Sequence, residues 1–159
     1  MLRRTFRGVR RLFARFARQS GPDRLLLIEA LLCQVVALAA VRALPLRVWA
    51  SRLGEFNRES PEEEDADVHA VADRIAWAVD RTGRLVPWHA TCLMLAVTAM
   101  LLLKRRSIPY TLYLGVVTAQ RAGENMEAHA WLRCGKDVLT GASEMDRFRP
   151  VTTLGYGTP

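Results

Sequence analysis

The chain has 159 residues and a mass of 17.9 kDa, room for one compact domain that can close its own core without disulfides. Half of the residues are apolar and a quarter charged, with ten Gly and seven Pro, which excludes collagen, low-complexity disorder and a disulfide scaffold. The net charge of +7 is uneven: residues 1–22 hold seven arginines (Arg3, Arg4, Arg7, Arg10, Arg11, Arg15, Arg18) and no acid, so a basic tail precedes a body of formal charge zero, with no nucleic-acid partner expected.

In that tail Leu2, Phe6, Val9, Phe13 and Phe16 recur at steps of four and three, which predicts a basic amphipathic helix within 1–22. Such a helix suits an anionic membrane through residues 1–20, nucleic acid, a partner protein, or the face of its own domain, and the nucleic-acid reading gives way because the chemistry-bearing motifs lie outside the basic part. Arg3-Arg4 resembles a twin-arginine export signal, but the second basic run Arg10–Arg18 separates it from the apolar stretch Leu25–Val41, so the chain reads as cytoplasmic. That stretch has 17 residues, interrupted by Glu29 and Gln34. A bilayer span needs about 20, so a buried amphipathic helix is expected, from about Arg24 to Ala43, capped by Asp23 and ended by Pro45. Leu46–Leu53 reads as a short helix closed by Gly54, and Glu55–Ser60 as a polar link.

Ser60-Pro61-Glu62-Glu63 has the cap, the first-turn proline and the capping-box acid of a helix start. The stripe Val68, Val71, Ala72, Ile75, Val79 follows, and Gly83 stops it. The acidic run Glu62–Asp67 reads as a solvated first turn and His69 as a surface residue. Ala90–Leu103 is almost wholly apolar and too short to span a membrane, so it is the predicted central buried helix. Aromatic and β-branched residues mark Tyr110–Thr118 as a strand, followed by a turn at 121–125 and strands at Met126–Arg133 and Asp137–Thr140 around the tight turn Gly135-Lys136. Helices followed by a short antiparallel sheet make an α+β domain over 23–159.

Three cysteines, Cys33, Cys92 and Cys134, cannot all pair within the chain and read as reduced thiols. Cys92 opens the central helix, where partial positive charge and free N–H groups favour a thiolate and can hold an oxyanion. A nucleophilic Cys needs a base, and His129 on a neighbouring strand can supply it, with Trp131 on the same face to cover the imidazole. A zinc set of His89, Cys92, His129 and Cys134 is the rival reading, but positions 129 and 134 face opposite sides of a strand.

Trp88-His89-Ala90-Thr91-Cys92-Leu93, then Leu101–Ile108, Leu114-Gly115-Val116 and Ala128-His129-Ala130-Trp131-Leu132, in that order, resemble the B2 proteins of lasso peptide biosynthesis, which are transglutaminase-like cysteine peptidases. The ending from Val138-Leu139-Thr140-Gly141 to Phe148-Arg149-Pro150-Val151 is similar too, so the motifs cover residues 84–154. The resemblance implies N-terminal helices packed on a papain-type core with a central Cys-bearing helix and a short antiparallel sheet. It also implies a cofactor-free leader peptidase, with Cys92 as nucleophile and His129 as base. Its implied partners are a lasso precursor peptide, a separate leader-binding protein and an ATP-dependent cyclase. Family members often carry an acid about twelve positions after the His, where this chain has Gly141. Asp137 is the conventional choice for the third member, although a tight turn at 135–136 would pair it with Cys134, roughly 17 Å along the strand from His129. Glu144, Asp146 or a backbone carbonyl are the alternatives. Two other functions fit the residues: a non-enzymatic adaptor using the arginine-rich helix, and an acyl transferase on the same Cys/His scaffold.

Overall fold

The computed structural model describes residues 19–63, 65–117 and 127–157, so the predicted helix of the basic tail and the turn at 121–125 lie outside the described residues. Helices α1 (Gly21–Ala43), α2 (Leu46–Ala50), α3 (Ala66–Gly83) and α4 (Cys92–Lys104) precede most of the sheet, which consists of β1 (Glu55–Phe56), β2 (Tyr110–Val117), β3 (Ala128–Cys134), β4 (Asp137–Thr140) and β5 (Phe148–Tyr156). The strands lie in the order β1-β5-β2-β3-β4, every pair antiparallel. The α+β reading therefore holds.

Helix α4 is the centre of the core. Ala96, Val97, Ala99, Met100, Leu102 and Leu103 are all buried, and α1, α3 and β3 pack around it. Thr91 caps it, its hydroxyl accepting the Met94 N–H at 3.3 Å. On the sheet, Tyr110, Leu112, Ala130, Leu132, Cys134 and Leu154 join the same core. By alternation His129, Trp131 and Arg133 belong to the opposite sheet face.

Three expected helix starts shift. Helix α1 begins at Gly21, with Ser20 and not Asp23 as its cap. The Ser20 hydroxyl accepts the Asp23 N–H at 3.3 Å and donates to the Asp23 carboxylate at 2.6 Å, so Asp23, the third helical residue, is tied twice to the cap. Helix α3 begins at Ala66 after Asp65, not at Pro61. Ser60 is drawn inward instead: its N–H donates to Thr111 Oγ1 at 2.8 Å and its carbonyl accepts from Arg133 at 2.9 Å. Helix α4 begins at Cys92, two residues later than expected, because Thr91 takes the cap.

Helix α1 also differs in environment. Leu26, Leu27, Ala30, Cys33, Gln34 and Ala37 are buried, but Leu25, Ile28, Leu32, Val35 and Val36 are exposed. It is long and apolar enough to cross a membrane, and a third of its most apolar window is buried inside the domain.

Strand β5 was not anticipated. Pro150 argues against a strand flanked on both sides, yet here it sits beside a bulge, since Leu114 pairs with Thr152 and Gly115 with Pro150. Strand β1 covers β5 only at Leu154 and Gly155, which leaves the other edge of β5 open at Pro150.

Candidate active site

Cys92 is the first residue of α4, half-buried against the rim of the core, and its thiol is in no disulfide. The cap satisfies the Met94 N–H, and the Thr91 carbonyl accepts from Leu95 at 3.0 Å. The N–H groups of Cys92 and Leu93 remain at the helix mouth with no partner inside the helix. Two donors beside the thiol, at the positive end of the helix dipole, form a site for a developing negative charge.

Helix α4 packs against β3, the strand carrying His129. The imidazole is part-buried in a column of rings. Phe148 stacks on it at 4.9 Å between centroids, Trp131 at 6.0 Å, and Tyr113 stacks on Trp131 at 5.5 Å. Trp131 thus covers His129 as the strand alternation predicts, and Phe148 adds a second cover from β5.

The hydrogen-bond partner of His129 is a backbone group. Nε2 lies 2.8 Å from the Gly141 carbonyl oxygen. A carbonyl can only accept, so Nε2 carries the proton, and in the neutral ring Nδ1 holds the free lone pair. Gly141 turns the chain here with φ +78°, and a Cβ at this position would stand 2.5 Å from the Ala130 carbonyl oxygen. Only glycine fits that turn and that approach together. In this conformation no hydrogen bond joins the Cys92 thiol to the imidazole among the described residues.

The expected acids are elsewhere. Asp137 pairs with Cys134 across the tight turn, as the register argument requires, and its carboxylate lies 2.8 Å from His69 Nδ1 on α3. Strand geometry carries it away from His129, and α3 supplies the imidazole it meets instead. Glu144 is within 3.8 Å of Arg147 in the 3-10 helix Ala142–Arg147, and Asp146 is exposed; neither is hydrogen-bonded to His129. A bulge between Leu132 and Arg133 resets the β3–β4 register, so that Thr140 faces Leu132 and Gly141 follows at the strand end, within reach of His129. Gly141 was visible in the sequence as the residue twelve places after the His; the bulge that brings its carbonyl round was not.

His89 is exposed, Cys134 lies in the core, and no group of three His, Cys, Asp or Glu side chains with metal-binding geometry occurs among the described residues.

Next to this geometry stands one family match: the model of the transglutaminase-like superfamily covers residues 34–153. No curated protein and no solved structure matches the chain.

Proposed function

Since the chain belongs to the transglutaminase-like superfamily, whose chemistry is that of cysteine peptidases and acyl transferases, we propose that it is a cysteine peptidase that removes the leader from a lasso peptide precursor. The observation that carries the reading is the Nε2···Gly141 contact at 2.8 Å on the strand packed against the Cys92 helix. It holds the ring in the tautomer whose Nδ1 can accept a proton. A backbone carbonyl here takes the place that a carboxylate holds in a conventional triad.

In the proposed reaction Nδ1 of His129 takes the thiol proton and Cys92 Sγ attacks the scissile carbonyl carbon. The N–H groups of Cys92 and Leu93 hold the oxyanion. The imidazolium returns its proton to the departing amine as the C–N bond breaks, leaving a thioester on Cys92. Water, deprotonated by the same imidazole, then adds to the thioester, and Cys92 leaves with the proton. Alternation turns His129 to the sheet face opposite the one α4 covers, at the first end of β3, so the reaction requires the imidazole to meet Cys92 round that strand end in the substrate complex. Carbonyl orientation fixes the tautomer but supplies no negative charge to the imidazolium, so a modest catalyst working on a presented substrate is the expected character. A separate leader-binding protein would present the precursor, and an ATP-dependent cyclase would take the product.

The test is precursor cleavage, read by mass spectrometry, with the leader-binding partner present. Cys92→Ala and His129→Ala should each abolish cleavage and keep the wild-type circular dichroism spectrum. Cleavage at wild-type rate by folded Cys92→Ala would overturn the reading. Transfer of the acyl group to an added amine in preference to water would assign the scaffold to acyl transfer.

A further inference from the structure

Helix α1 has two apolar faces, and the fold uses one of them. Leu25 and Leu32 are 69% and 64% exposed, and Ile28, Val35 and Val36 are exposed beside them. At 3.6 residues per turn these five fall within one stripe about 100° wide. Arg24 and Arg42, both exposed, lie along one rim of that stripe, one at each end of the helix.

An apolar helix of this length, with mean hydropathy 2.1 over its best window, could cross a bilayer on composition alone. Its other face argues against crossing. Leu26, Leu27, Ala30 and Ala37 fill the core against α3 and α4, and Gln34 is wholly buried there. Glu29 is paired with Arg105 at 3.0 Å and Arg106 at 2.6 Å. Drawing α1 into lipid would break those pairs and expose the core of α3 and α4. A contact that uses the stripe and leaves the domain intact lies along the surface.

We propose that this stripe docks the protein side-on onto an anionic lipid surface. The stripe leads back in sequence directly into residues 1–22, with seven arginines and no acid. Apolar side chains in a row need shallow hydrocarbon, and a dense run of positive charge adjoining them in sequence needs negative charge; an anionic bilayer interface offers both at one depth. A second copy packed stripe to stripe would bring a second arginine-rich tail, itself without an acid, to the same edge.

The test uses the full chain with sedimented vesicles of phosphatidylcholine, alone or mixed with phosphatidylglycerol. The protein should pellet with the anionic vesicles, stay in solution with the neutral ones, and be released by high salt. The double substitution Leu32→Gln, Val36→Gln, on exposed positions that the fold does not need, should lower the partition roughly tenfold or more while circular dichroism stays unchanged. Unchanged partition of that variant would overturn the proposal, since the arginines alone would then account for binding. So would the absence of binding to anionic vesicles. A wild-type dimer in lipid-free sedimentation that the double variant abolishes would overturn it as well, and give the stripe to a second copy.

Discussion

Gly141 carries more of the candidate site than any acid does. Its φ of +78° lies in the left-handed region, and its missing Cβ leaves room for the Ala130 carbonyl oxygen. Gly141→Ala should therefore cost roughly 1–3 kcal/mol, measured by urea unfolding. It should also lower cleavage by more than the stability loss accounts for, because the carbonyl that orients His129 moves. Asp137→Asn is the counterpart. It loosens the contact with His69 on α3, and as a surface change it should leave cleavage within about twofold of wild type. A loss of hundreds-fold there would return the role of orienting acid to Asp137. Thiol chemistry separates the three cysteines in the same way. Burial, with Glu29 nearby, pushes the Cys33 thiol up, and Cys134 lies in the core. Iodoacetamide followed by peptide mapping should modify half-buried Cys92 first, with Cys33 and Cys134 reacting only on unfolding. At this scale the place of Cys92 at a helix start, of His129 on a strand and of Trp131 over its ring was legible, because helix starts and strand alternation fix where a side chain stands. The imidazole's partner was not, since a backbone carbonyl leaves no mark in side-chain chemistry.

Among the elements, helices with one apolar stripe and strands bounded by a glycine turn were legible to within a few residues; β4 and the end of α3 fell where the pattern puts them. The starts of α1 and α4 moved to a different local cap, Ser20 and Thr91, whereas the start of α3 moved because a tertiary partner outweighed the local signal. Ser60 is that case. Its capping geometry lost to Thr111 and Arg133, which hold the 59–61 link against the sheet. Arg133, 9% exposed, donates to the Ser60 carbonyl at 2.9 Å, the Gly135 carbonyl at 2.6 Å and the Tyr113 hydroxyl at 3.1 Å. A lysine ammonium cannot span that set, so Arg133→Lys should lose about 1–3 kcal/mol in chemical denaturation. The cap of α1 gives an acid-side prediction. The Ser20 hydroxyl first, and the Arg74 guanidinium second, hold the Asp23 carboxyl below its ordinary range. A depressed folded-state value means that the stabilisation is present above about pH 4 and is lost as the pH falls through the folded value. The thermal midpoint of the wild type should drop over that interval more steeply than that of Asp23→Asn.

For the whole molecule, charge and chemistry divide along the chain. The family match begins at residue 34, and Cys92, His129 and Gly141 all lie within it, while the excess charge sits in residues 1–22. The body has formal charge zero, so the basic segment sets the molecule's net charge. Removing residues 1–18 takes away all seven of those arginines and should lower the isoelectric point to near neutrality, read by isoelectric focusing. The melting temperature should change by less than about 3 °C, the shift that roughly 1 kcal/mol produces in a domain of this size. Cleavage of a soluble precursor should persist, and partition onto anionic vesicles should fall. Loss of cleavage with the fold intact would mean that the arginines act at the substrate, as a handle for an acidic leader or its carrier, and that charge and catalysis are not separable here.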